Sequence, residues 1–300
     1  MENHFLGGVF ALAAAFVWAF AVICFKRSGE KLAPLGLNLF KNTIALILLS
    51  FTLLFMGESF ETLKTFPARD FWILALSGFL GITVADTLFF YSLDLVGVSI
   101  VSIVDTLYSP FILLFSWLIL MEAMTPLQYL GAAMIFCAVL LTTRLKPPIG
   151  RSRRQLLAGI AIGVIDMAVM GIGIVIAKPV LEVFPVVWAT TIRLAAGTAA
   201  LLPVILLLPQ RRALFAVFKP SASWKFSIPG SILGAYLACM LWIGGFKFTS
   251  ASAAGILNQT STIISIILAA LLLKEPFTRR KCMAMILAMS GIVLVMIFKP

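Results

Sequence analysis

Long apolar segments separated by short polar connections follow one another along the whole chain. They lie near residues 5–25, 33–56, 71–93, 97–120, 126–143, 155–177, 184–208, 226–246, 251–273 and 281–298. An α-helix needs about 20 such residues to cross a hydrocarbon core of about 30 Å. Hydrocarbon offers no hydrogen-bond partners, so every backbone N–H and C=O group in a membrane must be paired within the protein, as in an α-helix or a closed β-barrel. The alternating pattern of a β-barrel is missing from these segments, so they are predicted to be helices. The predicted fold class is an all-α integral membrane protein with ten transmembrane helices.

Composition excludes a water-soluble protein. Hydrophobic residues make up 62% of the chain and charged residues 12%, and the mean hydropathy is +1.10. Soluble domains contain about 45–50% apolar and about 25% charged residues. Too few polar side chains are present to coat a soluble surface, so the apolar excess must face lipid. We therefore expect a multi-pass protein of the inner or plasma membrane.

The two halves of the sequence resemble each other. Similar residues recur at an offset of 152 positions early in each half and 153 positions later. The matched pairs are Lys26 with Lys178, Lys41 with Arg193, Leu93 with Phe246, Ser99 with Ser252, Glu122 with Glu275 and Thr125 with Thr278. A near-constant offset across most of each half indicates a duplicated five-helix unit.

The duplication predicts the domain organisation. We assign residues 1–143 to a first five-helix repeat, residues 144–154 to a basic connector and residues 155–300 to a second five-helix repeat. Because five is odd, the second repeat enters the membrane from the opposite side, as in the inverted repeats of secondary transporters. In such proteins the substrate site lies near the midplane between the repeats.

Four sequence features occur in a fixed order. They are an aromatic-rich first helix ending in a lysine (Phe16 to Lys26), a basic residue early in helices 2 and 7 (Lys41, Arg193), the small-residue connection Ser250 to Ala254, and a glutamate with a threonine three positions on before a glycine-bearing last helix (Glu122, Thr125, Gly131 and Glu275, Thr278, Gly291). In these features the chain resembles the drug/metabolite transporter superfamily, specifically its ten-helix EamA-type family. The likeness covers residues 5–298. Lys41 departs from it where arginine is more usual, as does Ile263 where a proline like Pro110 is common.

The resemblance carries functional expectations. It implies transport of small organic metabolites, such as amino acids, amines or drug-like molecules, often as export driven by an ion gradient or by exchange. It also implies alternating access and a central cavity lined mainly by helices 3, 4, 8 and 9. It does not single out one substrate.

Three aspartates lie inside predicted helices: Asp86 in helix 3, Asp105 in helix 4 and Asp166 in helix 6. A charged side chain at the bilayer centre costs about 2.5–3.5 kcal/mol on insertion scales, so each is a candidate functional group. We expect Asp86 and Asp105 to bind protons or a cationic substrate in a wet cavity. Asp166 follows Gly159-x-x-x-Gly163, a pattern that favours close helix packing, so it either joins the site or pairs with a neighbouring helix.

Other polar and aromatic residues complete the predicted site. Ser102, Asp105 and Ser109 share one face of helix 4, as Gln259 and Thr262 do in helix 9. The predicted substrate- or ion-binding residues are Asp86, Ser102, Asp105, Tyr108, Ser109, Tyr236, Trp242, Asn258, Gln259 and Thr262. The aromatic rings would add stacking or cation–π contacts worth about 0.5–2 kcal/mol each. The alternative is that these groups only hold helices together, at about 0.6 kcal/mol each.

Four further charged residues have predicted roles. Lys41 and Arg193 lie inside helices 2 and 7, where each would neutralise either a buried acid or a substrate carboxylate. Glu122 and Glu275 end helices 4 and 9, and we interpret them as structural anchors of the following loops.

Enzyme chemistry has little support in the sequence. His4 is the only histidine, so no histidine-based zinc site or catalytic triad is expected. The chain has no G-x-x-x-x-G-K-[ST] loop, which excludes a P-loop nucleotide-driven pump. We predict no cofactor and no metal. A membrane-embedded enzyme that uses Asp86 and Asp105 as a carboxylate pair is one alternative, and a passive channel is another.

The net charge of +11 does not indicate nucleic acid, because the basic residues sit mostly in short connections, where they set membrane orientation. Of the 23 lysines and arginines, 16 lie on the side opposite the termini and 5 on the side of the termini. The positive-inside rule then places both termini outside, whereas the resemblance implies both inside. The expected partners are a small-molecule substrate, membrane lipids and protons; the oligomeric state is open.

Overall fold

Ten long helices make up most of the described part of the chain. The computed structural model describes residues 2–58, 60–121 and 125–297, and regular structure in these ranges is entirely helical. The helices are α1 Glu2–Gly29, α2 Pro34–Phe55, α3 Ala68–Val96, α4 Val98–Leu120, α5 Pro126–Thr142, α6 Arg153–Val183, α7 Val186–Leu207, α8 Trp224–Phe248, α9 Ala251–Asn258 with Thr260–Leu272, and α10 Arg279–Ile297. Short helical turns at Phe60–Thr65, Arg211–Phe215 and Ala216–Phe218 lie in two of the connections.

Eight of these helices are long and apolar enough to cross a membrane by length and composition. They are α1 to α4 and α6 to α9. Helix α5 is apolar but has only 17 residues, and α10 begins with three basic residues, Arg279, Arg280 and Lys281. The all-helical membrane architecture is therefore confirmed, while the count of ten spans stays a prediction.

Local sequence explains where several helices begin. Pro34 and Pro126 open α2 and α5, at the first helical position where a proline's missing N–H costs no hydrogen bond. Ser152 caps α6 because its side chain accepts from Gln155 N, and Gln155 Oε1 in turn accepts from Ser152 N. Gly97 separates α3 from α4 with a φ of +79°, a left-handed value that favours glycine.

Small residues let the helices approach closely, which strengthens van der Waals packing in a membrane. A Cβ on Gly163 would lie 2.9 Å from Val104 of α4, and one on Gly159 would lie 2.8 Å from Leu95 of α3. The close packing predicted from the Gly159-x-x-x-Gly163 pattern is thus confirmed. Helices α5 and α10 meet in the same way, because a Cβ on Gly291 would lie 2.6 Å from Gly131 O.

Irregular turns interrupt four helices at positions related by the sequence repeat. Helix α3 contains a π-helical segment at Phe79–Ala85, and α8 contains one at Ser231–Ala238. Helix α4 tightens into a 3₁₀ turn at Asp105–Leu107, and α9 is broken at Gln259. Pro110 contributes to the break in α4, because it cannot donate to the carbonyl four residues earlier. Breaks of this kind often mark functional sites.

Candidate functional site

A cavity of about 140 Å³ lies among α1–α4 and α6–α9. Its wall is formed by Ala14, Trp18, Lys41, Gly81, Ile82, Asp86, Phe89, Asp105, Tyr108, Asp166, Met167, Met170, Arg193, Leu194, Gly234, Ala235, Ala238, Cys239, Trp242, Asn258, Gln259 and Ser261. Since one ordered water needs about 10–15 Å³ by this measure, the space holds several waters or a small organic molecule. Helices 3, 4, 8 and 9 line it as the resemblance implies, and α1, α2, α6 and α7 line it as well.

Most wall residues occur in pairs related by the sequence offset. The pairs are Ala14 with Asp166, Trp18 with Met170, Lys41 with Arg193, Gly81 with Gly234, Ile82 with Ala235, Asp86 with Cys239, Phe89 with Trp242, Asp105 with Asn258 and Tyr108 with Ser261. The first three pairs are 152 positions apart and the others 153. The cavity therefore lies where equivalent parts of the two repeats face each other, as in an inverted-repeat transporter.

The predicted site residues divide into two groups. Eight line the cavity: Lys41, Asp86, Asp105, Tyr108, Arg193, Trp242, Asn258 and Gln259. Ser102, Ser109, Tyr236 and Thr262 are not in its wall. The Tyr236 hydroxyl is 2.7 Å from Thr52 Oγ1 of α2, and Thr262 Oγ1 donates to Ser102 O at 3.1 Å. These bonds tie α8 to α2 and α9 to α4.

Lys41 and Asp86 form an ion pair between α2 and α3. Lys41 Nζ lies 2.7 Å from Asp86 Oδ2 and donates to Asn42 Oδ1 at 2.8 Å, and Asn42 Nδ2 donates to Asn38 Oδ1 at 3.1 Å. The Phe90 ring centre lies 5.8 Å from Nζ. Only 4% of the Lys41 side chain and 13% of the Asp86 side chain is exposed. Buried charges persist when they are paired and hydrogen-bonded, and Lys41 meets both conditions.

The π-helical segment of α3 shapes this ion pair. The Asp86 N–H donates to Gly81 O, five residues back, rather than to Ile82 O, four residues back, as in an α-helix. Ile82 O instead accepts from Asn38 Nδ2 of α2 at 2.9 Å, and the same amide donates to Thr87 Oγ1 at 3.0 Å. Asn38 thus holds the wide turn open and positions the start of the next helical stretch, where Asp86 lies.

Arg193 of α7 occupies the position equivalent to Lys41 and is 2% exposed. Its Nη1 donates to Ser77 Oγ of α3, which in turn donates to Gly173 O of α6 at 2.5 Å. The guanidinium carbon lies 5.4 Å from the centre of the Trp242 ring. Among the described residues, Arg193 Nε has no hydrogen-bond partner and no carboxylate lies within 4.0 Å of the guanidinium. The cation therefore has polar and aromatic neighbours but no counter-ion in the described part of the chain.

Two carboxyl groups in the wall also lack partners among the described residues. Asp105 Oδ1 of α4 and both carboxyl oxygens of Asp166 of α6 are buried without a hydrogen bond, and the Tyr108 hydroxyl is in the same situation. Buried polar groups are bonded in the great majority of cases. Groups of this kind in residues that line a cavity are candidates for contact with an ion, a water or a ligand. No hydrogen bond joins Asp86 to Asp105, so the described contacts give no support to a carboxylate pair.

The two repeats are also joined at the connection between α9 and α10. Glu275 Oε1 accepts from Val98 N at 2.8 Å, and Oε2 accepts from Ser99 N at 3.0 Å and from Ser99 Oγ at 2.5 Å. Lys281 Nζ lies 3.5 Å from the same carboxylate. Glu275 thus caps the N-terminus of α4, so its role is structural as predicted, but it acts on α4 rather than on the loop that follows α9. Glu122, its predicted counterpart, lies outside the described residues.

Several wall residues were not predicted. Nothing in the sequence marks Ala14, Gly81, Gly234 or Cys239 as a site residue by itself. Two of them could have been found from the repeat, because Ala14 is equivalent to Asp166 and Cys239 is equivalent to Asp86. Asn38, which is not in the wall but supports the ion pair, was not predicted either. The sequence did contain a signal for it, because Asn38, Lys41 and Asn42 lie on one face of an otherwise apolar helix.

Comparisons with known proteins agree with this architecture. A solved structure titled "Crystal structure of protein" superposes with a TM-score of 0.72 over 97% of this chain and 96% of that chain. At 18% sequence identity this likeness establishes the fold alone. No curated protein matched the sequence. The model of the EamA-like transporter family matches twice, over residues 5–144 and residues 157–297, so the chain belongs to that family of multi-pass membrane transporters.

Proposed function

We propose that this protein is a secondary transporter that moves a small amino-acid-like, amine or drug-like metabolite across the cell membrane by alternating access. The direction we propose is export, with proton coupling or exchange as the driving mechanism. Ten helices would span the membrane as two inverted repeats, the eight long ones together with α5 and α10.

The observation that carries this proposal is the composition of the cavity wall. Equivalent positions of both repeats face one central space, and that space contains side chains of both charges. Alternating access needs a site that the two halves can expose in turn by moving against each other. A cavity shared between repeats has this property, whereas a cavity inside one repeat does not.

The irregular turns would supply the movement. The π-helical segments of α3 and α8 and the breaks in α4 and α9 lie in the wall-forming helices at repeat-related positions. Each break removes regular backbone bonds from the middle of a helix, so the two ends of that helix can tilt separately at modest cost. We propose that these four breaks are the hinges of the transport cycle.

Asp105 and Asp166 are the groups we assign to the proton or the cationic part of the substrate. Both residues line the cavity and have buried oxygens without a partner among the described residues, Oδ1 in Asp105 and both oxygens in Asp166, while Asp86 is already engaged by Lys41. A carboxyl group in an apolar site needs either a proton or a cation beside it. Taking up and releasing one of these with each cycle would couple transport to a gradient.

Uptake into proteoliposomes from a mixed pool of small metabolites, read by mass spectrometry with and without a pH gradient, tests this function. We expect one chemical class to accumulate in a saturable manner, and accumulation to depend on the gradient or on a preloaded exchange partner. Asp105→Asn should slow transport at least tenfold and flatten its pH dependence, whereas Asp70→Asn, outside the cavity wall, should not. Non-saturable leakage of many solutes would indicate a channel, and an unchanged Asp105→Asn variant would remove that residue from the mechanism.

Cysteine labelling tests the orientation of the chain in the membrane. In a variant whose four cysteines are replaced, Asn3→Cys in intact cells would react with an impermeant thiol reagent if the termini are outside. Protection would place the termini in the cytosol and overturn the orientation that the loop charges favour.

A further inference from the structure

We propose that Arg193 binds a carboxylate of the transported molecule. This inference rests on the proposed transport function and specifies the ligand of the same cavity. It follows from which charges of the site are already paired and which are not.

The positive charges of the wall differ in their state. Lys41 is neutralised by Asp86 at 2.7 Å, while Arg193 has no carboxylate within 4.0 Å among the described residues. An arginine that is 2% exposed inside a membrane domain is costly unless a charge or a set of acceptors compensates it. Ser77 Oγ is one acceptor, which leaves most of the guanidinium donors unbonded.

The edge of the guanidinium that has no hydrogen bond to a described residue suits a carboxylate. Nη1 is used by Ser77, but neither Nε nor Nη2 donates to a described residue. Nη2 lies beside Gly81 of the wall, where a Cβ would approach it to 3.3 Å. Two parallel N–H groups on one edge match the two oxygens of a carboxylate and bind them together. The contacts with Ser77 and the Trp242 ring keep the guanidinium from rotating away.

The acids of the wall are compatible with a carboxylate on the ligand. Asp105 and Asp166 line the same cavity with buried oxygens that have no partner in the described ranges. Each acid is satisfied either by a proton or by a cation beside it, so an anionic ligand can bind while the acids are protonated. The rest of the wall, including Trp18, Phe89 and Met170, offers apolar surface to the remainder of the molecule.

Matched sets of ligands test this inference on the wild-type protein. Each set contains a free amino acid, its amide and the amine left after removal of the carboxyl group. Binding is measured by thermal stabilisation of the purified protein, and transport by counterflow in proteoliposomes. We expect the free acid to be preferred over the amide and the amine by about 10- to 100-fold, because both lack the charged partner of Arg193.

Variants assign that preference to Arg193. Arg193→Gln should abolish the discrimination between acid and amide, and Arg193→Lys should keep part of it because the charge remains. Arg69→Gln, the same change on an exposed arginine in the first turn of α3, should discriminate like the wild type. If Arg193→Gln does not fold, the ligand series on the wild type and the lysine variant still decides the matter.

The outcomes separate this inference from the proposed function. Transport of amides and amines as readily as acids, or an Arg193→Gln protein that still prefers acids, overturns the carboxylate assignment and leaves a transporter. A wild-type protein that neither binds nor carries any solute of the mixed pool overturns the proposed function itself.

Discussion

Lys41 and Arg193 are repeat-related residues that have come to occupy different electrostatic settings. Both are nearly fully buried, at 4% and 2% exposure, and both line the same cavity. In the first repeat Asp86 pairs with Lys41, but the position equivalent to Asp86 in the second repeat is Cys239. The second repeat therefore has the cation, Arg193, but has no acid at the position equivalent to Asp86.

The hydrogen bonds that support the π-helical segment are also more extensive in the first repeat than in the second. Asn38 donates to Ile82 O in the first repeat, whereas its equivalent, Thr190, donates only to Val186 O of its own helix at 2.7 Å. The first repeat thus has a continuous polar network from Asn38 through Asn42 to the ion pair. Duplication gives both halves the same framework, and we infer that the first half stabilises the site while the second leaves a charge free for the ligand.

The largest expected difference is in stability when each cation is replaced by methionine. Lys41→Met leaves Asp86 buried without its partner, which should lower the free energy of unfolding by about 3–5 kcal/mol. Arg193→Met loses one hydrogen bond and one ring contact but also removes an unpaired charge, so a loss of no more than about 1–2 kcal/mol is expected.

Denaturation of both proteins in the same detergent measures this contrast. The double variant Lys41→Met with Asp86→Leu, which removes both charges, should regain most of the stability lost in Lys41→Met. Equal losses for the two methionine variants would mean that Arg193 has a counter-ion after all, and the comparison would fail.

A smaller effect is expected at the two π-helical segments. Asn38→Leu removes the partner of Ile82 O and of Asn42, so two buried polar groups lose a bond and stability should fall by about 2–4 kcal/mol. Thr190→Val, the matched change in the second repeat, should cost below about 0.5 kcal/mol because its hydroxyl bonds only within its own helix. Thermal unfolding of both variants checks this, and a costly Thr190→Val would show that α8 depends on polar support in the same way.

Sequence alone predicted the helices and the charged residues of the wall, because both follow from simple rules. Apolar length predicts helices in lipid, and charges inside such helices are costly enough to indicate Lys41, Asp86, Asp105 and Arg193. It could not predict which charges pair, since Lys41 and Asp86 are 45 residues apart on different helices and meet only after packing. The π-helical segments were also missed, because a single wide turn changes the hydrogen-bond register without changing the apolar pattern that predicts the helix.

The smallest expected effect concerns Glu275 of the second repeat, which caps α4 of the first repeat. Glu275→Ala removes the acceptor of Val98 N and Ser99 N and should destabilise the protein by about 1–2 kcal/mol, as for the loss of a helix cap. Glu30→Ala breaks only an exposed pair with Arg27 at 3.5 Å and should cost below about 0.5 kcal/mol. Unfolding midpoints of the two variants, together with hydrogen exchange at Val98 and Ser99, measure the difference.

Faster exchange at these two amides in Glu275→Ala alone would localise the loss to the start of α4. If the two variants were equally stable, water would replace Glu275 at no cost, and the join between the repeats at this end would depend on other contacts.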